Sequence, residues 1–256
     1  MSPGLGYWLG TPCMCARPEA LLLTQPGPKC VTMTKILLAG ATGMVGTATL
    51  ALLLADERVG HVVAPTRRPI QPHAKLRNPI MTSEDLQTDA AWWAVDGAIS
   101  ALGTTRANAG SAAAFRAIDH DYALAIARQV RSGGATRFAL TSSTGADARS
   151  RFLYPRTKGE LEDAIDHLGF RSLTLVRPGF LGGHRTEDRP LETVFGTLLR
   201  IVGPVLPAGA RISPAATVAS LLIEAVLKGP PGRHVVTSRT IARAADGPVR
   251  ARNSGT

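Results

Sequence analysis

The sequence KILLAGATGMVGTATLALLLA, residues Lys35 to Ala55, decides the fold class of the chain. A short apolar run ends at Gly40 and an apolar stretch of helical length begins at Met44, which predicts a strand, a tight turn and a helix. A second run rich in β-branched residues, HVVAPTRR, begins at His61. Together they predict a βαβ unit.

Further units of the same kind follow along the chain. We expect strands in DGAISALG, TRFALTSS and RSLTLVRPG, and helices between them that end at Gly133 and Gly169. This alternation predicts an α/β fold of the Rossmann type, a doubly wound parallel sheet with helices on both faces. After Pro178 come a charged loop, two apolar helix candidates and a last strand at RHVVTS, so about residues 180–230 are interpreted as a small substrate cap.

The two ends of the chain differ from the body in composition. Residues 1–33 are rich in Pro and Gly, show no periodicity and contain all three cysteines, which favours a disordered extension over a metal site. We interpret residues 34–240 as one NAD(P)-binding domain that includes the cap, and residues 241–256 as a basic flexible tail. The six His are scattered without metal-ligand spacing, so no metal is predicted.

The net charge of +10 is uneven, since half of the excess lies in residues 228–256. The body has no basic stripe with interleaved aromatic residues, which argues against specific nucleic-acid binding. No apolar run approaches the roughly 18 residues of a membrane span, and the N-terminus lacks the pattern of a secretory signal. We therefore expect a cytoplasmic protein.

The segment GATGMVG places Gly40, Gly43 and Gly46 between a predicted strand and a predicted helix. The first glycine permits the tight turn, the second lets backbone amides approach a pyrophosphate, and the third lets helix and strand pack closely. This context favours a dinucleotide site over a simple glycine-rich turn.

The end of the second predicted strand carries PTRRP instead of the acidic residue that an NAD site uses to hold the ribose 2′-hydroxyl. Arg67 and Arg68 suit a 2′-phosphate, because guanidinium groups form charge-assisted, bidentate hydrogen bonds. The pattern favours NADP(H) over NAD(H), although two solvated surface arginines would give the same sequence.

Tyr154 and Lys158 lie four residues apart in FLYPRTKGELED, a spacing that places both on one face of a helix. An ammonium close to a phenol favours the phenolate, which suits Tyr154 to proton transfer. Pro155 places Tyr154 at the helix boundary. Ser143 ends the preceding predicted strand and is the candidate for orienting a substrate carbonyl, with Ser142 as the alternative.

Other charged groups carry a weaker signal. Glu160, Glu162, Asp163 and Asp166 are interpreted as a solvated helix face. A second set of charged residues lies just past a strand end: Arg185, Glu187 and Arg189. These residues suit either contact with a polar or anionic small-molecule substrate or closure of a lid by salt bridges.

Motifs in order along about residues 35–190 resemble the atypical branch of the short-chain dehydrogenase/reductase superfamily that includes the Tat-interacting protein. The matching pieces are GATGMVG, LGTTR, IDHDYAL, SSTGAD with FLYPRTKGELE, and VRPGFL followed by HRTEDRP. The resemblance implies a Rossmann fold, NADPH bound by the glycine loop and the arginines, and these cofactor contacts: Gly40, Thr42, Gly43, Met44, Val45, Gly46, Arg67, Arg68, Leu102, Gly103, Thr104, Tyr154, Lys158, Pro178 and Gly179.

The leading hypothesis is an NADP(H)-dependent oxidoreductase that reduces a carbonyl through Ser143, Tyr154 and Lys158. Two alternatives remain open at this point. One is a non-catalytic NADPH-binding regulator that acts through protein contacts. The other is a sugar-nucleotide epimerase or dehydratase that uses the same residues with bound NAD. A homo-oligomer is compatible with each of them.

Overall fold

The computed structural model describes residues 33–82, 86, 90–104, 109–182 and 213–246 of the chain. Within these ranges seven parallel strands form one sheet, in the order β3-β2-β1-β4-β5-β6-β9. The strands are β1 Thr34–Ala39, β2 Val59–Val63, β3 Leu76–Arg77, β4 Gly97–Ser100, β5 Arg137–Thr141, β6 Ser172–Arg177 and β9 Gly232–Thr237. A separate parallel pair consists of β7 Leu181–Gly182 and β8 Ser213–Pro214.

Helices connect these strands. The α-helices are α1 Met44–Ala55, α2 Ala112–Arg116, α3 Ala123–Ser132, α4 Leu153–Asp166, α5 Ala215–Lys228 and α6 Ser238–Asp246, and a π-helical segment, Ala117–Tyr122, joins α2 to α3. A short 3₁₀ turn, Ala91–Trp93, precedes β4.

The central strand β1 has apolar side chains on both of its faces. Leu37 belongs to a buried cluster that contains Trp93 and Leu161. Ile36 belongs to a second buried cluster that contains Leu53 and Leu222. Successive side chains of a strand point to opposite faces, so an uninterrupted apolar run supplies two helix layers. The predicted Rossmann-type α/β fold is confirmed.

The carboxyl ends of the central strands share one edge of the sheet. The strand order reverses between β1 and β4, and ligands of doubly wound folds bind in the crevice at such a switch point. The Ala101 amide donates to the Ala39 carbonyl at 2.9 Å, and the Thr144 amide donates to the Pro178 carbonyl at 2.9 Å. The turns after β1, β4, β5 and β6 therefore lie side by side.

Two predicted boundaries differ from the described structure. Helix α5 falls inside the predicted cap, yet its residues Val218 and Leu222 are fully buried in the core that covers the sheet. The predicted tail begins inside α6, whose Ile241 is also fully buried. Both helices have an apolar face that packs on the body. Residues 1–32 of the predicted extension, residues 183–212 of the cap and residues 247–256 of the tail lie outside the described residues.

None of the helices in the described ranges is long and apolar enough to cross a membrane.

Candidate active site

The glycine loop between β1 and α1 has the geometry of a backbone cradle. Gly40 has a φ of +81°, and a Cβ there would lie 2.8 Å from the Ala101 carbonyl group. A Cβ on Gly46 would lie 1.9 Å from the Gly40 carbonyl oxygen, so α1 packs directly on the loop. At Gly43 the nearest atom to a Cβ would be 3.4 Å away, and the residue is exposed.

The first turn of α1 opens at this loop. Gly43 is the N-cap and has no side chain to bond the first amides, and no acidic residue lies in the first turn. Thr42 is exposed and Met44 is half-buried, whereas Val45 is buried in the core, so Val45 offers only its backbone to a ligand. Free amides at a helix N-terminus favour an anionic group.

Arg67 and Arg68 lie in the turn after β2. Both are exposed, and among the described residues neither forms an ion pair. Their backbone is held in place, because the Thr66 hydroxyl donates to the Arg68 carbonyl at 2.6 Å and Asn78 Nδ2 donates to Thr66 Oγ1 at 2.8 Å. A fixed turn therefore presents two available guanidinium groups and no carboxylate.

Helix α4 carries the predicted proton-transfer pair. The helix begins after its N-cap Phe152, so Tyr154 and Pro155 both lie in the first turn, where proline is tolerated. The Tyr154 side chain is 45% exposed, and its ring centroid lies 5.7 Å from that of Phe115. One turn along the helix, Lys158 is only 3% exposed. The Tyr154 phenol is thus accessible, and the Lys158 ammonium one helical turn further along is buried.

Lys158 has a buried partner that the sequence did not indicate. Its Nζ lies 2.6 Å from Asp119 Oδ1, and Asp119 is fully buried in the π-helical segment. The other carboxylate oxygen, Asp119 Oδ2, accepts from the Thr104 amide at 2.8 Å. One carboxylate therefore connects α4 to the turn that follows β4.

Two neighbouring serines at the end of β5 have different surroundings. The Ser142 hydroxyl donates to Glu162 Oε1 at 2.5 Å. The Ser143 hydroxyl is buried and has no hydrogen-bond partner within the part of the chain that the structure describes. A buried hydroxyl without a partner is costly. Ser143 is consequently the serine that is available to a ligand.

Glu162 is buried, contrary to its interpretation as part of a solvated helix face, with only 1% of the residue exposed. It accepts from Arg177 Nε at 2.9 Å and from Arg177 Nη2 at 2.5 Å, and Arg233 lies 3.5 Å away. This hydrogen bonding raises the pKa of the Arg177 guanidinium. The burial of Glu162 could have been predicted from the sequence, because Glu162 is four residues after Lys158 and shares its helix face.

The remaining predicted contacts lie in the turns after β4 and β6. Gly103 is exposed, and a Cβ there would lie 3.8 Å from both Lys158 Nζ and Asp119 Oδ1. Leu102 is half-buried against the core. Pro178 is held by the bond from Thr144 given above, and the Gly179 amide donates to Ser213 Oγ at 3.3 Å.

Several other predicted residues cannot be placed. Thr105 and Arg106 of the LGTTR motif, and the charged set Arg185, Glu187 and Arg189, lie outside the described residues. No group of three His, Cys, Asp or Glu side chains that could hold a metal ion occurs in the described ranges.

Two curated relatives of the chain carry the same name. The Emericella nidulans protein called "Protein fmp52, mitochondrial" is 39% identical over 176 residues, which cover 63% of this chain and 73% of that protein. The Aspergillus niger protein of the same name is 36% identical over 182 residues, covering 68% of this chain and 77% of that protein. No protein-family model matches the chain.

Solved structures with the same fold are more distant in sequence. The Bordetella bronchiseptica enzyme WbmF in complex with NAD⁺ gives a TM-score of 0.59 at 15% identity, covering 83% of this chain and 77% of that one. A Francisella tularensis short chain dehydrogenase family protein gives 0.58 at 14%, covering 82% and 99%. MoeE5 in complex with UDP-glucuronic acid and NAD gives 0.61 at 17%, covering 78% and 75%.

These findings refine the resemblance and correct one prediction. The fold is that of dehydrogenase-type Rossmann proteins, while the curated relatives carry the name Fmp52 and not that of the Tat-interacting protein. The expectation of a cytoplasmic location is wrong, because those relatives are named as mitochondrial proteins.

Proposed function

This chain belongs to the Fmp52 family, and on that premise we propose that it is an NADP(H)-dependent oxidoreductase that reduces the carbonyl group of a small molecule. The observation that carries the proposal is the pairing on α4 of an exposed Tyr154 with a buried Lys158, together with a buried Ser143 hydroxyl that has no hydrogen-bond partner among the described residues. Such a set suits proton transfer to a carbonyl oxygen.

The residues at the carboxyl edge of the sheet fit a nicotinamide dinucleotide. The close contacts at Gly40 and Gly46 leave no room for side chains, whereas the exposed Gly43 leaves the first amides of α1 open to a pyrophosphate. Arg67 and Arg68 would hold a 2′-phosphate. The NAD⁺ bound to WbmF and the NAD bound to MoeE5 support a nicotinamide cofactor of some kind, and the two arginines support the phosphorylated form.

Each residue of the chain has a defined task in this reaction. A bound NADPH supplies hydride to the carbonyl carbon. Ser143 donates a hydrogen bond to the carbonyl oxygen and so orients the substrate. Tyr154 gives its phenolic proton to that oxygen as negative charge develops on it. Lys158, one helical turn below, favours the phenolate that remains and holds the nicotinamide ribose.

The proposal is tested with the purified full chain, NADPH and a panel of aldehydes and ketones, by following NADPH oxidation. We expect turnover on at least one compound, and a fall in kcat of about 10² to 10⁴ in Tyr154→Phe, which cannot donate the proton. Ser143→Ala should lower kcat, and Ser142→Ala, whose hydroxyl is bonded to Glu162, serves as the matched control. Unchanged turnover in Tyr154→Phe would show that Tyr154 is not the proton donor.

A non-catalytic NADPH-binding regulator is the second candidate. The specific observation in its favour is that Lys158 already has a buried counter-ion in Asp119, which offsets the charge available to Tyr154. It predicts tight NADPH binding with no hydride loss across the whole carbonyl panel, and a protein partner that is recovered only with the cofactor-loaded chain.

The names of the relatives support a mitochondrial location for this chain as well. Cell fractionation of the full chain carrying a small C-terminal tag tests this, with co-sedimentation with mitochondrial markers as the expected result. A tag found only in the soluble cytosol would contradict it.

A further inference from the structure

The π-helical segment Ala117–Tyr122 presents one of its two carboxylates to α4. Asp119 is fully buried, whereas the neighbouring Ile118 is 38% exposed and the Asp121 side chain is 61% exposed. A π-helical turn contains an extra residue, and such turns are frequent at functional sites. The extra residue changes the angle at which the following side chains project, so the local helix geometry sets the direction of the Asp119 carboxylate.

The two oxygens of this carboxylate hold two different elements. Oδ1 lies 2.6 Å from Lys158 Nζ and Oδ2 accepts from the Thr104 amide at 2.8 Å. The pair lies directly beneath an exposed backbone, since a Cβ on Gly103 would lie 3.8 Å from both Asp119 Oδ1 and Lys158 Nζ. Asp119 is thus close to the surface on which the nicotinamide half of a cofactor would lie.

We propose that Asp119 is a positioning residue, which fixes the Lys158 ammonium and the Gly103–Thr104 turn relative to one another so that both can receive the nicotinamide ribose. The proposal rests on the proposed function. A lysine side chain has a flexible four-carbon stem, and burial of its charge requires a counter-ion. Asp119 supplies that counter-ion and also fixes the position of Nζ, which lies 2.6 Å from its Oδ1 atom.

The direction in which the NADPH affinity changes when Asp119 is neutralised distinguishes a positioning role from a general effect of its charge. Asp119 is an anion close to where an anionic cofactor would bind, so removing its charge should by Coulomb attraction alone strengthen NADPH binding. Loss of positioning should weaken it. A weaker complex after neutralisation of Asp119 therefore indicates positioning, and a stronger one indicates charge alone.

Asp119→Asn is the test variant, because an amide has the same shape as a carboxylate but only one acceptor oxygen. It can accept from Lys158 or from the Thr104 amide, and not from both. The control is Asp121→Asn, which makes the same charge change two residues away on an exposed side chain. The ligands are NADPH and adenosine 2′,5′-bisphosphate, which lacks the nicotinamide ribose, each measured by calorimetry.

We expect Asp119→Asn to raise the Kd of NADPH about ten-fold, as loss of one charge-assisted hydrogen bond would. The Kd of adenosine 2′,5′-bisphosphate should change by less than about two-fold, as should both constants in Asp121→Asn. An unchanged or lower NADPH Kd in Asp119→Asn overturns the proposal, and so does an equal loss for both ligands. If the unmodified chain binds neither ligand, the proposed function fails and this proposal fails with it.

A second comparison holds even if Asp119→Asn folds poorly. In Asp119→Asn/Lys158→Met neither buried charge is left alone, so folding should recover relative to the single variants. If Asp119 acts through Lys158, the double variant should bind NADPH as Lys158→Met does, within about two-fold. A further large loss would show that Asp119 acts in another way and would overturn the proposal.

Discussion

Charged and polar side chains along the carboxyl edge of the sheet form two halves that handle charge in opposite ways. In the buried half, defined here as Lys158, Asp119, Glu162 and Ser142, each side chain is enclosed and has an atom within 2.6 Å of another member of the group. In the exposed half, defined as Arg67 and Arg68 on the turn after β2, both cations face solvent. Charges already satisfied within the protein contribute to stability and geometry, whereas exposed unpaired cations are available for a ligand.

The largest expected effect comes from the exposed half. Hydrogen bonds to charged groups contribute about 1.5 to 3 kcal/mol each, so Arg67→Ala/Arg68→Ala should weaken NADPH by roughly two to four orders of magnitude. NADH lacks the 2′-phosphate and should bind almost as before, and the melting temperature should barely change because neither side chain is paired among the described residues. Calorimetry with both cofactors and a thermal melt measure this. Equal affinity of the unmodified chain for NADH and NADPH would make the arginines ordinary surface residues.

Substitutions in the buried half should act in the opposite way, by lowering the free energy of unfolding. Glu162→Ala leaves Arg177 and the Ser142 hydroxyl without their acceptor, whereas Arg233 keeps its contact with Asp166 at 3.6 Å. Removing one partner of a buried ion pair costs about 3 to 5 kcal/mol, and we expect the lower end of that range because the Arg177 side chain is 27% exposed. Chemical denaturation gives the free energy of unfolding. Asp163→Ala, one residue further on the exposed face, is the control, and a similar loss there would contradict the distinction.

The location of the exposed half could be predicted from the sequence, whereas the contacts within the buried half could not, for a physical reason. Glycines between a strand and a helix, and arginines at a strand end, are local features of the chain. The Asp119–Lys158 pair joins residues 39 positions apart in sequence and depends on a π-helical turn, which a search for 3.6-residue periodicity does not reveal.

The same reasoning applies to two other features that depend on contacts between distant parts of the chain. The sequence favoured Ser143 by its position and kept Ser142 as the alternative, whereas the difference in their surroundings depends on Glu162 from another element. The sequence places helix α5 in the cap because it belongs to the late, less regular segment that follows Pro178. Only the three-dimensional packing of Val218 and Leu222 on the sheet identifies it as core.

A smaller effect is expected from the glycine loop between β1 and α1, where two substitutions distinguish the loss of packing from the loss of access for a ligand. In Gly46→Ala the new Cβ would meet the Gly40 carbonyl oxygen at 1.9 Å, so the loop must shift. We expect a loss of about 1 to 3 kcal/mol in the free energy of unfolding, together with weaker binding of both cofactors. Gly43→Ala has room at 3.4 Å and should retain stability while weakening NADPH and NADH alike. Denaturation and calorimetry test the pair, and the contrast fails if the two variants are equally stable.

The smallest effect should come from a charge cluster remote from both halves. Arg58 in the turn after α1 contacts Asp56 and, on α5, Glu224, each at 2.6 Å. Hydrogen bonds from Arg58 lower the pKa of Asp56 and of Glu224 below their usual values. A carboxyl group with a lowered folded-state pKa contributes stability above its unfolded pKa, and this contribution is lost as the pH falls through the folded value.

For this cluster we therefore predict a small, pH-dependent loss of stability in Arg58→Gln. The Arg58 side chain is 40% exposed and that of Glu224 is 51% exposed, so solvent screens the contacts. The variant should lose only about 0.5 to 1 kcal/mol of unfolding free energy at pH 7. The difference should begin to shrink as the pH falls below the unfolded-state pKa values of about 4, and should be gone once the pH is below the lowered folded-state pKa values of both carboxyl groups. NADPH affinity should remain unchanged. Denaturation curves at pH 7 and at acidic pH provide the test, and a difference that persists undiminished in acid would show that Arg58 stabilises the chain by packing and not by charge.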